Sequence, residues 1–330
     1  MAILYSLIAV IFLVLFPMAG VWGLGWNFFF GVAIPCGAFV VFVAGFIYRV
    51  CKWGSSPVPF HIPTVCGQQK SLAWIEASPI DSPSTSGGVV VRLALEILLF
   101  RSLFWNEKVE LKRPYRLFYK RDLYLWLGGL LFHWSLFVIM FRHLRFFAEP
   151  VPAAVLLVQT LDGLLQNLFP VVYVTDIVIV ASLIYLFLRR VFDPQMRYLS
   201  LASDYFALFL LSGVVSSGIL MRLIYRVDLV KVKGLMVKIF SLQPVAPEGI
   251  GLIFYVHLFL VSILIAYFPL SKLMHSAGIF LSPTRNLRNN SRRERHVNPW
   301  NYPVNVHTYE EYENEFRQSM KEVGLHVERE

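Results

Sequence analysis

Six apolar segments dominate this sequence: residues 3–25, 28–50, 122–146, 171–191, 204–224 and 249–272. A bilayer core is crossed by about 20 apolar residues in helical form. Lipid cannot satisfy an open strand edge, so each segment is expected to be a helix. Only 15% of residues are charged and 57% are hydrophobic, against roughly a quarter charged in a soluble domain. The fold class read from this is an all-α polytopic membrane protein with about six transmembrane helices. The first segment has no basic leader and no small-residue cleavage signal, so it is expected to be retained as a span.

The net charge of +9 does not point to nucleic acid. The basic residues stand beside the apolar runs, where the positive-inside rule and anionic lipid both favour them. "KRPYRLFYKR" (112–121) precedes the third span, Arg189, Arg190 and Arg197 follow the fourth, and "RNLRNNSRRER" (285–295) follows the sixth. These flanks place both termini in the cytoplasm of a cell membrane. Residues 222–238 dissent, with Arg222, Arg226, Lys231, Lys233 and Lys238 on a link that parity puts outside. Cys36, Cys51 and Cys66 have no C-x-x-C or C-x-x-H spacing, which argues against a cysteine-bound cluster or zinc site in this chain.

Four regions follow. Residues 1–50 hold two spans, and 51–121 form a cytoplasmic insertion rich in Pro and Ser in its first half. Residues 122–279 hold the other four spans, and 280–330 form a cytoplasmic tail. Within the insertion, 89–105 is apolar but carries Arg92, Glu96 and Arg101, with Arg92 and Glu96 spaced as an i,i+4 pair. It is expected to lie on the membrane. In 155–169, Gln159, Asp162 and Gln166 recur at helical spacing opposite Leu157, Leu161, Leu164 and Leu168, a second surface helix. In the tail, Thr308 and Glu311 make a capping box. Tyr309, Tyr312, Phe316, Met320 and Val323 then share one face, suited to docking a partner.

Four of eight histidines belong to spans: His133 and His143 to the third, His257 and His275 to the sixth. Ionisable groups in a membrane are costly and mark functional sites. Neutral imidazole ligates haem iron, and two histidines on each of two spans match two bis-His b haems. The other reading is interhelical hydrogen bonding or a proton relay. The third span runs outward and the sixth inward. The pairs are therefore His143 with His257 near the outer face and His133 with His275 near the inner. At 1.5 Å per residue the separations along each helix are ~15 Å and ~27 Å. They do not match for straight helices, so tilt and a bend at Pro269 are required. Arg142, Arg145 and Arg222 are candidates for haem propionates, or snorkel to headgroups. Asp162, Gln159 and Glu149 are candidates for a quinone pocket, or are simply polar surface.

The 10- and 18-residue histidine spacings resemble the respiratory nitrate reductase gamma subunit (NarI-like) family of dihaem b cytochromes. "IPTVCGQQKSL" (62–72), "LEILLFRSLFWN" (95–106) and "NPWNYPV" (298–304) resemble its DsrM branch, the cytochrome b subunits of a membrane complex linked to dissimilatory sulfite reduction. The resemblance covers nearly the whole chain. It implies two haem b groups on the four histidines and electron transfer between menaquinol or menaquinone and a cytoplasmic heterodisulfide-reductase-like iron–sulfur subunit (DsrK-like). It also implies further membrane and periplasmic subunits. A nitrate reductase subunit, or a subunit of another heterodisulfide-reductase-type complex, is the alternative within this class; a proton-coupled transporter is the alternative outside it. The basic quinol-site residue of nitrate reductase cytochromes has no counterpart, because Gly163 stands at the matching spacing.

Overall fold

A computed structural model describes residues 1–56, 67–112, 116–168, 172–245, 249–294 and 307–328. Cys66, the first half of "IPTVCGQQKSL" and all of "NPWNYPV" lie outside them. In chain order the helices are α1 (Ala2–Met18), α2 (Ile34–Gly54), α3 (Ser86–Leu99), α4 (Arg101–Phe104) and α5 (Leu123–His143). Then come α6 (Ala153–Asp162), α7 (Val174–Phe192), α8 (Pro194–Leu199), α9 (Ala202–Leu223) and α10 (Leu229–Phe240). The last are α11 (Leu252–Tyr267), α12 (His275–Leu281) and α13 (Tyr309–Glu322).

Among the described residues, five helical stretches are long and apolar enough to cross a membrane: Ala2–Gly23, Phe29–Gly54, Leu123–Phe146, Ala202–Leu223 and Leu252–Leu270. The sixth expected span is α7, whose 19 residues carry Asp176 near one end and Arg189 and Arg190 near the other. Those charges keep it out of the apolar set, yet it is packed between α5 and α9. The first two spans turn at Gly25, whose φ of +67° suits a residue without Cβ.

The packing forms a chain of neighbours. α5 lies on α7, α7 on α9, and α9 on both α1 and α11, while α2 also lies on α11. The two histidine-bearing helices, α5 and α11, therefore stand at the ends of the α5–α7–α9–α11 series. Phe132, Ile179, Leu183 and Leu211 knit α5, α7 and α9. Val10, Leu210, Val256 and Leu260 knit α1, α9 and α11. At Gly128 a Cβ would come within 2.5 Å of the Tyr185 ring, so glycine there lets α5 and α7 approach closely. Asp122 accepts from Leu125 N at 3.2 Å to cap α5 and pairs with Arg189 of α7 at 2.9 Å.

The expected bend at Pro269 is a full break. α11 stops at Tyr267, short 3₁₀ turns follow, and Ser271 is extended before α12 begins at His275. Proline removes a backbone donor and clashes with the preceding turn, which ends the helix. Gly45 of α2 lies against this break, where a Cβ would be 2.8 Å from the proline ring. His275 thus belongs to a separate short helix and not to the sixth span.

Three regions carry structure that the sequence reading did not resolve. Residues 116–121 of the basic flank form a strand, β2 (Arg116–Arg121), antiparallel to β1 (Glu107–Lys112) in a register pairing Glu107 with Arg121. The apolar piece 89–105 is two helices with an elbow at Phe100. Its Arg92 and Glu96 are buried and reach the segment after α12: Arg92 donates to the Thr284 carbonyl at 3.2 Å, and Glu96 meets Arg285 at 3.1 Å. Finally, α6 ends at Asp162 and continues as a 3₁₀ turn over Gly163–Asn167. Its polar face points inward: Asp162 is buried while Leu157, Leu161, Leu164 and Leu168 are exposed. An amphipathic helix beside lipid turns its leucines outward, the reverse of a helix in water. The molecule is a mostly helical, multi-pass membrane protein.

Candidate functional site

The four histidines share one local device. His133 Nδ1 is 2.8 Å from the Gly129 carbonyl, His143 Nδ1 is 2.7 Å from the Ile139 carbonyl, and His275 Nδ1 is 2.9 Å from the Lys272 carbonyl. His257 Nδ1 lies between the Val214 carbonyl at 3.1 Å and the Ser217 hydroxyl at 3.0 Å. A carbonyl only accepts, so each Nδ1 donates. The proton is thereby fixed on Nδ1 and the lone pair on Nε2. This is the state in which a metal-ligating imidazole is oriented by its second nitrogen.

His133 and His275 are brought together. Their ring centres are 5.9 Å apart and their planes stand at 85°. Two imidazoles on opposite sides of one metal, at about 2 Å bonds, would have centres roughly 6 Å apart. His143 is close enough to His257 to act on it electrostatically, which puts these two imidazoles in one neighbourhood. The break at Pro269 reconciles the unequal spacings along the chain, since His257 and His275 are not on one straight helix. Gly218 gives His257 its room, because a Cβ there would be 3.3 Å from the imidazole Cε1. Among the described residues no three or more His, Cys, Asp or Glu side chains converge on a point. The donor set is two imidazoles per site, which fits a haem whose other four ligands are its own nitrogens.

The arginines beside His143 are already engaged. Arg142 forms an ion pair with Asp162, bonds the Thr175 hydroxyl at 3.3 Å, and stacks 3.5 Å from the Tyr173 ring centre. Asp162 also accepts from the Thr175 amide at 2.9 Å and hydroxyl at 2.7 Å. Arg222 pairs with Asp176 and stacks on the same Tyr173 ring at 4.4 Å. Arg145 donates to Gln159 at 2.9 Å. This network joins α5, α6, α7 and α9 at the end of the bundle that holds His143. Glu149, further along the chain, pairs with Lys233 of α10. Together with Arg145, Phe146, Val151, Leu229 and Val230 these two line a cavity of about 320 Å³.

Sequence reasoning missed Tyr173, Thr175, Asp176, Ser217, Lys233 and Phe100. One signal was available for Asp176, which accepts from the Tyr173 amide at 3.0 Å and so caps the helix it starts. Another was Ser217 beside Gly218, a small polar pair inside an apolar span.

A profile of the nitrate reductase gamma subunit family matches residues 112–293. Two relatives are similar over most of the chain. Both are described as an Hdr-like menaquinol oxidoreductase cytochrome b-like subunit. The protein from Archaeoglobus fulgidus is 44% identical over 284 residues, 84% of this chain and 84% of that one. The protein from Archaeoglobus profundus is 41% identical over 275 residues, 81% of each.

Proposed function

The chain belongs to the nitrate reductase gamma subunit family, and from that premise we propose the roles of its residues in electron transfer. It is a membrane cytochrome b subunit of a quinol oxidoreductase complex. His143 with His257, and His133 with His275, would hold two b haems. The observation that carries this reading is the uniform engagement of Nδ1 in all four imidazoles, which turns Nε2 to one task. Haems bound there would supply one-electron carriers between the two ends of the bundle.

The chain's own residues do the rest. Arg142, Asp162, Thr175, Tyr173, Arg222 and Asp176 fix the His143 end and supply it with balanced charge. Menaquinol or menaquinone binds at that same end, in the cavity between Arg145, Glu149 and Lys233. Exposed Glu149 is placed to take up a proton released by the quinol hydroxyl. The two similar Archaeoglobus proteins, named as menaquinol oxidoreductase subunits, support the choice of quinol. Their names also support a heterodisulfide-reductase-like iron–sulfur partner. We place that partner on the cytoplasmic side, near His133 and His275. The tail helix α13, with Tyr309, Tyr312 and Phe316 exposed, is its docking surface. The DsrK-like identity of the partner, and a place in sulfite or sulfate respiration, rest on the motifs at 62–72, 95–106 and 298–304.

Purification of the intact complex tests both levels. Dithionite-reduced minus oxidised spectra are expected to show a b-type band, with two haems per chain. An iron–sulfur protein of heterodisulfide-reductase type is expected to co-purify. A chain without Soret absorbance removes the cytochrome reading, and a molybdenum enzyme in its place removes the partner assignment alone.

A further inference from the structure

The elbow between α3 and α4 is strained, and it touches the histidine site. Phe100 has φ 50° and ψ 48°, the left-handed region, which is unfavourable for a residue with a Cβ. Such a conformation persists only where the surroundings impose it. Here they do. The last carbonyls of α3 would otherwise lack partners. Leu98 O accepts from the Trp134 indole at 2.9 Å, and Leu99 O accepts from the Trp126 indole at 2.8 Å, both from α5. Phe100 N donates to Glu96 O at 3.1 Å, and Phe100 O accepts from Phe104 N at 3.0 Å.

The outcome is a single contact. The Phe100 ring meets the His133 imidazole edge to face, with centres 4.9 Å apart and planes at 89°. The bond from Nδ1 to Gly129 O anchors one atom of that imidazole, and its plane is then set by the rings around it. Phe132 at 5.1 Å is a neighbour on its own helix, whereas Phe100 comes from a separate region of the chain. The same region holds the opposite side of the site. Arg92 and Glu96 of α3 tie down Thr284 and Arg285, just beyond the helix that begins with His275.

We propose that Phe100 is a positioning residue that fixes the plane of the His133 imidazole and links the insertion to the His133/His275 site. The proposal rests on the haem reading above. The orientation of an axial imidazole determines how its orbitals overlap those of the iron. A change of plane therefore alters the low-spin signal and the potential of the centre it ligates, with ligand identity unchanged.

The test uses the intact complex carrying Phe100→Gly, Phe100→Leu, Phe100→Tyr or Trp134→Phe. Glycine adopts the left-handed conformation without strain, so Phe100→Gly removes the ring and relieves the backbone together. A purely structural elbow would leave its spectra unchanged. Positioning predicts that Phe100→Gly and Phe100→Leu keep two haems per chain. One low-spin resonance moves and one midpoint potential shifts, while the other centre stays as in wild type. Phe100→Tyr, which retains the ring, restores the wild-type signal. Trp134→Phe, which only frees Leu98 O, moves the same signal by less. Wild-type resonances and potentials in Phe100→Gly overturn the proposal. Should that variant lose a haem, Phe100→Leu and Trp134→Phe decide: a moved signal supports it and an unmoved one overturns it. A wild-type complex with no haem overturns the underlying reading instead, and is recognised before any variant is made.

Discussion

Around His143 the neighbours are charged; around His133 they are aromatic. Arg142, Arg145 and Arg222 all act electrostatically on His143, and two of them are held by Asp162 and Asp176. His133 instead meets Phe100, Phe132 and Phe137. The first environment suits an end of the molecule where charge and protons are exchanged. The second insulates a site and fixes its orientation by shape. The scaffolds differ in the same way. Short connections and α6 build the His143 end, and a long insertion with a C-terminal segment builds the His133 end.

The comparison breaks most visibly if the ends are not independent. His143→Ala is expected to remove one of two haems, halving the haem per chain, and His133→Ala to remove the other. Pyridine haemochrome counts on the purified variants check this. Loss of both haems from either variant would mean that the two environments form one unit.

A smaller effect separates the ways the two ends are held. The Arg142–Asp162 pair is enclosed, its side chains 11% and 3% exposed. Breaking a buried pair from one side costs about 3–5 kcal/mol, because the remaining charge has no partner. Asp162→Ala is therefore expected to lower the thermal stability of the detergent-purified protein markedly, and to loosen haem at the His143 end before the other. Equal release of both haems on heating would show that the network serves the whole bundle and not the His143 end.

What the sequence revealed of this follows from the range of the interactions. The spans, the capped tail helix and the four histidines are local patterns, and they were legible. A bend at Pro269 was legible because proline acts on its own turn, but the full break was not. The inward polar face of α6 was half legible: periodicity shows two faces, but only the neighbours decide which one meets lipid. The partners of Arg142 and Arg222 were not legible. Asp162 and Asp176 lie on other elements, and nothing local marks them as acceptors for those arginines. Phe100 was the least legible residue. Its left-handed backbone is imposed by two indoles from α5, so "LLFRS" gives no local sign of an elbow. The strand pair 107–112 and 116–121 was hidden by its charges, which explain a membrane flank equally well.

The smallest expected effect lies at the other end of α7, where the pair Lys108–Asp193 joins β1 to the start of α8. Its side chains are 38% and 15% exposed. The hydrogen bond from Lys108 at 3.0 Å holds the Asp193 carboxyl below the usual carboxylate range, against a smaller opposing effect of burial. A lowered folded pKa means that the contribution is present above the unfolded value of about 3.9 and is lost as pH falls through the folded value. Asp193→Asn is therefore expected to cost at most about 1 kcal/mol at neutral pH, as exposed pairs do. The difference between variant and wild type should begin to shrink as pH falls below about 4 and vanish only below the lowered folded value. Thermal melts at pH 7 and at the acid end measure both points. A loss at Asp193 as large as that at Asp162 would contradict the contrast between a buried pair at one end and a screened pair at the other.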